Sequence, residues 1–414
     1  MAGIRGNAIV GQSGGPTAVI NQSLVGVIEA ARDCGVIDRL LGARHGVKGI
    51  LREDFIDLFA EPGDVLEEVA QTPSSALGSV RQKPKAEDCY RMFEVMRKHG
   101  VRYYFYIGGN DSAETVHIVD QAAQEAHYDL RCFHVPKTVD NDLRVTDHCP
   151  GYGSAARFVA SAFLGDNLDN RSLPGIKIDV VMGRNAGFLT AASALARKWD
   201  DDGPHLVYVP ERPFFVERFL ADVERVYRDL GRCVVAVSEG IVDGNDPLKR
   251  TMAETMAEKS AKTLEKDTHA NVQLSGSGAL GDWLAQQVKD GLGVEARLGK
   301  GLRVRADTFG YLQRSFAGVV SGVDAAEARQ CGRTAVALAT AKDLDGSVVM
   351  LREPGEYRVR FEHTELRNVA KDTRSMPDEY LSGEGNDVTQ AFLDYARPLI
   401  GPMPPHGRLR GMIR

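Results

Sequence analysis

The feature that most constrains this chain is a unit it repeats: a short apolar run, a glycine-rich polar loop, then an amphipathic helix. Ala8-Ile9-Val10 opens into Gly11-Gln12-Ser13-Gly14-Gly15, and a helix is predicted from about Ala18 to Asp33 with Val19, Ile20, Leu24, Val27 and Ile28 on one stripe. After a helical pattern over Glu87–His99, the β-rich run Val101–Ile107 turns at Gly108-Gly109-Asn110-Asp111-Ser112 into a helix through Val119. A third strand, Cys132–Val135, breaks into Pro136-Lys137-Thr138-Val139-Asp140-Asn141-Asp142. Strand–loop–helix units in series predict a parallel α/β sheet, whose ligands gather beyond the carboxyl ends of the strands. The three polar loops would therefore share one crevice.

Each loop has a chemical reading and a bland one. The first is an anion-binding frame, with bare backbone N–H groups at the positive end of a helix dipole, although it lacks the Gly-Lys-Ser/Thr of a P-loop. Alone it is no more than a strand-to-helix turn. In the third, carboxylates two residues apart let one take a proton while the other holds a cation or orients its neighbour. Lys137 beside them suits a metal-bound polyphosphate, yet Asp and Asn are also common turn residues. Gly151-Tyr152-Gly153 with Ala156 looks like a dinucleotide fingerprint but follows no predicted strand, so it reads as a helix start.

A second α/β unit begins near Ile176, with strands at Ile178–Met182, Leu206–Val209, Cys233–Val237 and Ala306–Leu312. Helices are predicted over 188–198, 325–341 and 388–396, an exposed charged helix within 243–270, and an irregular polar tail from 352. The 414 residues suffice for two domains. A net charge of −6 argues against a broad nucleic-acid face. Six cysteines without a CxxC pair fit reduced thiols, and no apolar run reaches membrane-spanning length, so the expected compartment is the cytoplasm, with no membrane partner.

Seven segments together resemble the 6-phosphofructokinase family over nearly the whole chain. They are Ser13-Gly14-Gly15, Gly78-Ser79-Val80-Arg81, Gly108–Ser112, Pro136–Asp142, Met182-Gly183-Arg184, Ser238-Glu239-Gly240 and Gly310-Tyr311-Leu312-Gln313-Arg314. The resemblance implies two Rossmann-like α/β domains with the active site in the cleft between them. One comprises 1–150 with a returning segment around 315–375, and the other 151–314 with part of 376–414. It implies a glycolytic phosphoryl transfer to the C1 hydroxyl of fructose 6-phosphate, a Mg²⁺ cofactor and a homodimer or homotetramer. Asp140 matches the family base; Thr138 flanks it, and Arg184 with the Met182-Gly183 backbone holds the acceptor and stabilises charge in transit. Glu239 matches a ligand of sugar hydroxyls. Tyr311, Arg314 and Arg305 match the 6-phosphate site, the last often reaching in from a neighbouring subunit in the family. Many members have His where this chain has Tyr311. Another family arginine has no clear counterpart, Lys177 being the nearest candidate.

Two departures point to the donor. ATP-using members read Gly-Gly-Asp-Gly-Ser where this chain has Gly108-Gly109-Asn110-Asp111-Ser112, so Asp111 places bulk and charge where a nucleotide needs room. Lys137 stands where many ATP users have glycine. The pair resembles the pyrophosphate-dependent branch and implies a donor site of Gly14, Gly15, Arg81, Gly109, Asp111 and Lys137, with Asp111 and Asp142 at the metal. Asn110 stands where the usual metal-carrying aspartate would be. ATP remains the alternative donor, and a non-catalytic regulatory subunit the alternative of another class.

Overall fold

The computed structural model describes residues 4–259, 278–292 and 302–409. Two sheets organise it. The first chain segment contributes β1 (Gly6–Gln12), β2 (Ile37–Ala43), β3 (Phe55–Asp57), β4 (Val101–Gly108) and β5 (Arg131–Pro136). Next come β6 (Ile176–Val181), β7 (Leu206–Tyr208), β8 (Pro213–Phe214), β9 (Cys233–Ser238), β10 (Val242–Asp243) and β11 (Val304–Thr308). The chain then returns with β12 (Gly346–Arg352) and β13 (Val359–Thr364). The large sheet runs β13-β12-β5-β4-β1-β2-β3; the second runs β11-β6-β9-β7, with β8 and β10 forming a small ribbon.

The central pairs β4–β1, β4–β5, β1–β2 and β6–β9 are parallel, as a strand–loop–helix repeat requires. Both edges of the large sheet are antiparallel, β3 on β2 and β13 on β12. The central strands read as near-continuous apolar runs because helices cover both faces, and Tyr103, Tyr104, Phe105 and Tyr106 are all fully buried.

Several elements differ from the sequence-based expectation. The tail beyond 352 holds the expected helix, at Gln390–Ile400, but is otherwise more regular than expected, with β13 and helix Leu366–Val369 within it. β13 alternates polar and apolar residues as an edge hairpin partner does, so it carries no apolar run. Ala306–Leu312 is not one strand, because β11 ends at Thr308 and Gly310–Arg314 forms a 3₁₀ turn. Of the segment 243–270, Met252–Lys259 is helical, but Met252 and Ala257 are buried in it, so it is not simply a solvated face; residues 260–270 lie outside those described.

The returning helix Gly322–Ala341 packs on Ile20–Asp33 almost backbone to backbone. A Cβ at Gly26 would lie 2.0 Å from the Arg329 carbonyl oxygen, and one at Gly332 would lie 2.2 Å from that of Ser23. Arg329 and Arg333 then clamp Glu29 across the crossing at 2.6 and 2.7 Å. The two glycines thereby fix how residues beyond 322 dock on the first helix. Gly332→Val should destabilise the fold by about 1–3 kcal/mol through overpacking, read as a lower urea midpoint. An unchanged midpoint would show that the crossing relaxes freely.

Candidate active site

The loop after β5 is built by hydrogen bonds that carry strand order past the strand end. Lys137 N donates to Gly108 O (2.9 Å), and Thr138 N donates to Pro150 O (3.1 Å). Thr138 also bridges Gly151, just before helix Tyr152–Ser172. Asp140 N donates to Thr138 Oγ1 at 3.1 Å. Asn141, fully buried at φ +59°, reverses the chain. Its amide donates to the Tyr395 hydroxyl (2.7 Å) and accepts from Cys149 N (3.0 Å). Asn tolerates this left-handed conformation, and the buried partners hold it there. Asp140 and Asp142, on either side of it, both line the cleft.

Beneath the loop, the fully buried His134 joins strands. Burial and the Lys137 charge push its ring down to about 4, so the neutral tautomer with Nε2–H donates to Gly108 O and accepts from Ser347 Oγ, both at 2.8 Å. It holds β4, β5 and β12 together directly under the cleft.

The cleft has a volume of about 480 Å³ and takes side chains from both sheets. At its floor Gly14 (φ +75°) and Gly15 make room for two cations: a Cβ at Gly14 would lie 3.3 Å from Lys137 Nζ, and one at Gly15 would lie 2.8 Å from an Arg314 nitrogen. Lys137 is 2% exposed and donates to Gly15 O at 2.6 Å. Ser79 Oγ donates to Gly14 O (2.6 Å) and Ser13 Oγ to Val80 O (3.1 Å), which brings Arg81 to the same rim.

From the second sheet, Gln313 accepts from Met182 N (3.3 Å) and donates to Gly310 O (2.8 Å), anchoring the 310–314 turn to the end of β6. Ser238 donates to Gly183 O (2.5 Å), and Glu239 N donates to Val181 O (2.9 Å), setting Arg184 and Glu239 at the cleft. The Arg314 guanidinium lies 4.3 Å from the Tyr311 ring centre.

Of the residues singled out from sequence, the cleft brings together Gly14, Gly15, Arg81, Gly109, Asn110, Asp111, Lys137, Thr138, Asp140, Asp142, Met182, Arg184, Glu239, Tyr311 and Arg314. Gly183 lies behind them. Arg305 does not join them: it is exposed on β11 and donates to the Val304 carbonyl. Lys177 is also elsewhere, held by Asp166 and, at 2.6 Å, by Asp169.

Asp111 needs correction too. Its charge is not bare, because Lys83 Nζ lies 2.8 Å from it and also pairs with Glu114. Lys83 thus offsets the negative charge that Asp111 was expected to set against a nucleotide. Sequence reading missed Lys83, Glu114, Asn185, Lys371 and Thr373, which also line the cleft. For Lys83 the signal was its spacing two residues after the Gly78–Arg81 motif.

The electrostatics are those of a buried, densely charged site. Burial raises Asp140, against the pull of Arg184, Lys137 and Arg314. Burial and then the Asp140 charge push Asp142 up to about 7. Lys137 moves the other way, down to about 7, through burial and then Arg314 and Arg81. The Arg314 guanidinium is also lowered by burial, and its Nε has no hydrogen-bond partner. Such a site favours a polyanion, which would satisfy the cations, and a divalent cation, which would relieve the acid pair. Among the described residues, groups of three clustered ligand-type side chains occur only outside the cleft, at Asp120/Cys132/Asp345 and Asp166/Asp179/Asp307.

The matching family model is "Phosphofructokinase", over residues 7–339, and the chain belongs to that family. It is 53% identical over 407 residues to the pyrophosphate–fructose 6-phosphate 1-phosphotransferase of Rhodospirillum rubrum, covering 98% of this chain and 97% of that one. The enzyme of the same name from Xanthomonas campestris is 37% identical, with 95% and 91% covered. Among solved structures, the pyrophosphate-dependent phosphofructokinase of Marinobacter aquaeolei superposes with a TM-score of 0.82 at 34% identity, covering 97% of this chain and 94% of that one.

The charged groups predict a pH profile. With the acid pair acting in its ionised form, kcat/KM for the anionic donor should rise as pH passes upward through about 7. Lys137 must keep its proton, so the same parameter should fall as pH rises further. The expected outcome is a narrow bell centred near neutrality. Lys137→Met should lose the alkaline limb relative to the parent, with substrate ionisation common to both. An unchanged alkaline limb in the variant would assign it to another group.

Proposed function

We propose that this chain transfers a phosphoryl group reversibly between inorganic pyrophosphate and the C1 hydroxyl of fructose 6-phosphate, giving fructose 1,6-bisphosphate and orthophosphate. The observation that carries the donor is the make-up of the cleft. Lys83, Lys137, Arg81, Arg184, Arg314 and Lys371 line it, among the described residues its single aromatic is Tyr311, and Asp111 occupies the first turn of the helix facing the donor floor. A polyphosphate finds cations there, but a nucleobase finds no aromatic platform at the Gly14–Gly15 end. The relatives named above support the same donor.

Asp140 takes the proton from the C1 hydroxyl as its oxygen attacks the terminal phosphorus, and the electron pair of the breaking P–O bond leaves with orthophosphate. Thr138 holds the Asp140 backbone, and Arg184 faces the transferring group. Lys137 and Arg81 hold the phosphate that stays behind. Glu239 binds sugar hydroxyls, and Tyr311 with Arg314 reads the 6-phosphate. Arg314 also abuts Gly15, so it stands between the two half-sites.

Mg²⁺ fits the acid pair: Asp142, raised by burial and then by Asp140, is the protein oxygen ligand such a cation would find beside the phosphates. One Asp111 oxygen is already engaged by Lys83, so its part at the metal is the smaller. When bound, the ion neutralises charge on the transferring oxygens. The donor unit is 1–150 with the returning 315–375, and the sugar-phosphate unit is 151–314 with part of 376–414. A cytoplasmic homodimer or homotetramer completes the reading, with the exposed Arg305 serving a neighbouring copy; among the described residues no helix is long and apolar enough to cross a membrane.

Asp140→Asn should lower kcat by about 10²–10⁴-fold with little change in sugar-phosphate binding. Near-normal turnover would remove Asp140 from the role of base. For the donor, steady-state rates with pyrophosphate and with ATP should be compared for the parent, Asp111→Gly, Lys137→Gly and the double variant. Lys137→Gly should cost about one to two decades with pyrophosphate, from charge-assisted hydrogen bonds worth about 1.5–3 kcal/mol each. Only the double variant should gain ATP turnover. Parent activity with ATP equal to or above that with pyrophosphate would overturn the donor while leaving the family intact.

A further inference from the structure

The family model ends at residue 339, yet the chain returns to the cleft much later. Val369 is buried with Ala113 and Val349 on the first-sheet side, and Met376 is buried in the core of the second. The residues between cross the mouth of the cleft as a strap bonded to the catalytic loop. Thr373 bridges Leu143, and Arg374 N donates to Asp142 O (2.8 Å). The Arg374 side chain donates to Asn141 O (3.0 Å) and Asp147 O (2.8 Å), with its guanidinium 5.0 Å from the Phe188 ring centre. Asp372 is paired with Arg144 at 2.8 Å.

Lys371 sits in this strap at φ +71°, a conformation that a non-glycine residue adopts when its surroundings demand it. Its carbonyl accepts from Asn110 Nδ2 at 3.4 Å, at the start of the helix that carries Asp111. The residue lines the cleft. Among the described residues Lys371 Nζ has no acidic partner, whereas Lys83 is neutralised by Asp111 and Glu114. An uncompensated cation at the rim of the cleft, on the side of the Asn110–Asp111 helix start, is what the end of a short polyphosphate requires.

We propose that Lys371 binds the donor's non-transferred phosphate, so that the strap 370–376 supplies a donor-specificity residue from outside the family's common core. This rests on the pyrophosphate reading above. The cation replaces contacts that a nucleotide would make with its remaining groups, and it does so in both directions, holding pyrophosphate going forward and orthophosphate in reverse.

The test is steady-state kinetics of the full-length Lys371→Ala and Lys371→Gln variants in both directions. KM should rise about 10–100-fold for pyrophosphate and for orthophosphate. KM for fructose 6-phosphate and fructose 1,6-bisphosphate should stay within about twofold, and Lys371→Arg should recover much of the loss. Lys371 is exposed, so neither variant threatens the fold. Unchanged KM for both phosphate substrates, or a rise confined to the sugar phosphates, overturns the proposal while leaving the pyrophosphate reaction in place. Should the parent instead prefer ATP, the donor reading falls, and a Lys371→Ala effect confined to KM for ATP would move the residue's partner to the nucleotide and overturn the pyrophosphate assignment of Lys371 with it.

Discussion

The structure depends on keeping a buried lysine, a buried carboxylate and a half-buried one together at the end of one strand. Lys137 and Asp142 are buried and Asp140 half-buried within six residues, and among the described residues none of the three has a one-to-one ion pair to offset that cost. What makes the arrangement tolerable is distributed compensation. Lys137 donates to a backbone carbonyl, Asp140 faces Arg184, and Arg374 draws down Asp142 from outside the cleft. Removing any one of these leaves an excess of one sign in a place where water cannot screen it. The strand order, the buried neutral His134 and the reversed Asn141 all serve to hold that charge pattern in register.

Much of this was legible before any coordinates. The parallel repeat appears in the alternation of apolar runs with Gly-rich loops, because strands buried on both faces cannot hide their hydrophobicity. The strand-end rule then brought Ser13–Gly15, Gly108–Ser112 and Pro136–Asp142 to one crevice. What escaped was written in weaker signals. β13 is an edge strand with one wet face, and its mixed composition looks like loop. The 3₁₀ turn at 310–314 continues the apolar pattern of β11, so nothing in the period marks the break at Thr308. Pairings such as Lys83 with Asp111, or Arg374 with the Asn141 carbonyl, join residues 28 to 233 positions apart and have no local signature.

The two sheets are held in relation by segments from the last quarter of the chain, partly within and partly beyond the region the family model matches. The Gly26–Gly332 crossing locks the returning helix onto the first one. Further on, helix Gln390–Ile400 joins the second core through Phe392, Tyr395, Leu399 and Ile400, while the Tyr395 hydroxyl accepts from Asn141 and donates to Asp147 O at 2.8 Å. One phenol thus ties the C-terminal helix to the turn between the two cleft carboxylates. Because Asn141 sits between Asp140 and Asp142, this helix lies one hydrogen bond away from the turn that carries the acid pair.

A buried lysine and a buried carboxyl that both titrate near neutrality have a consequence for ligand binding. Without ligand, the site lowers its charge density by letting Lys137 approach its neutral form and Asp142 its protonated form. A polyanion entering beside Lys137 favours the ammonium. A cation arriving at Asp142 favours the carboxylate. The proton that one group releases is the kind of proton the other takes up, so the two binding events are electrostatically complementary and neither leaves the cleft with a large unbalanced charge. A phosphoryl donor that comes with its own divalent cation suits such a site better than either partner alone. That coupling follows from packing Lys137 and Asp142 into one cleft between two sheets, and it would be lost if either side chain were moved to the surface.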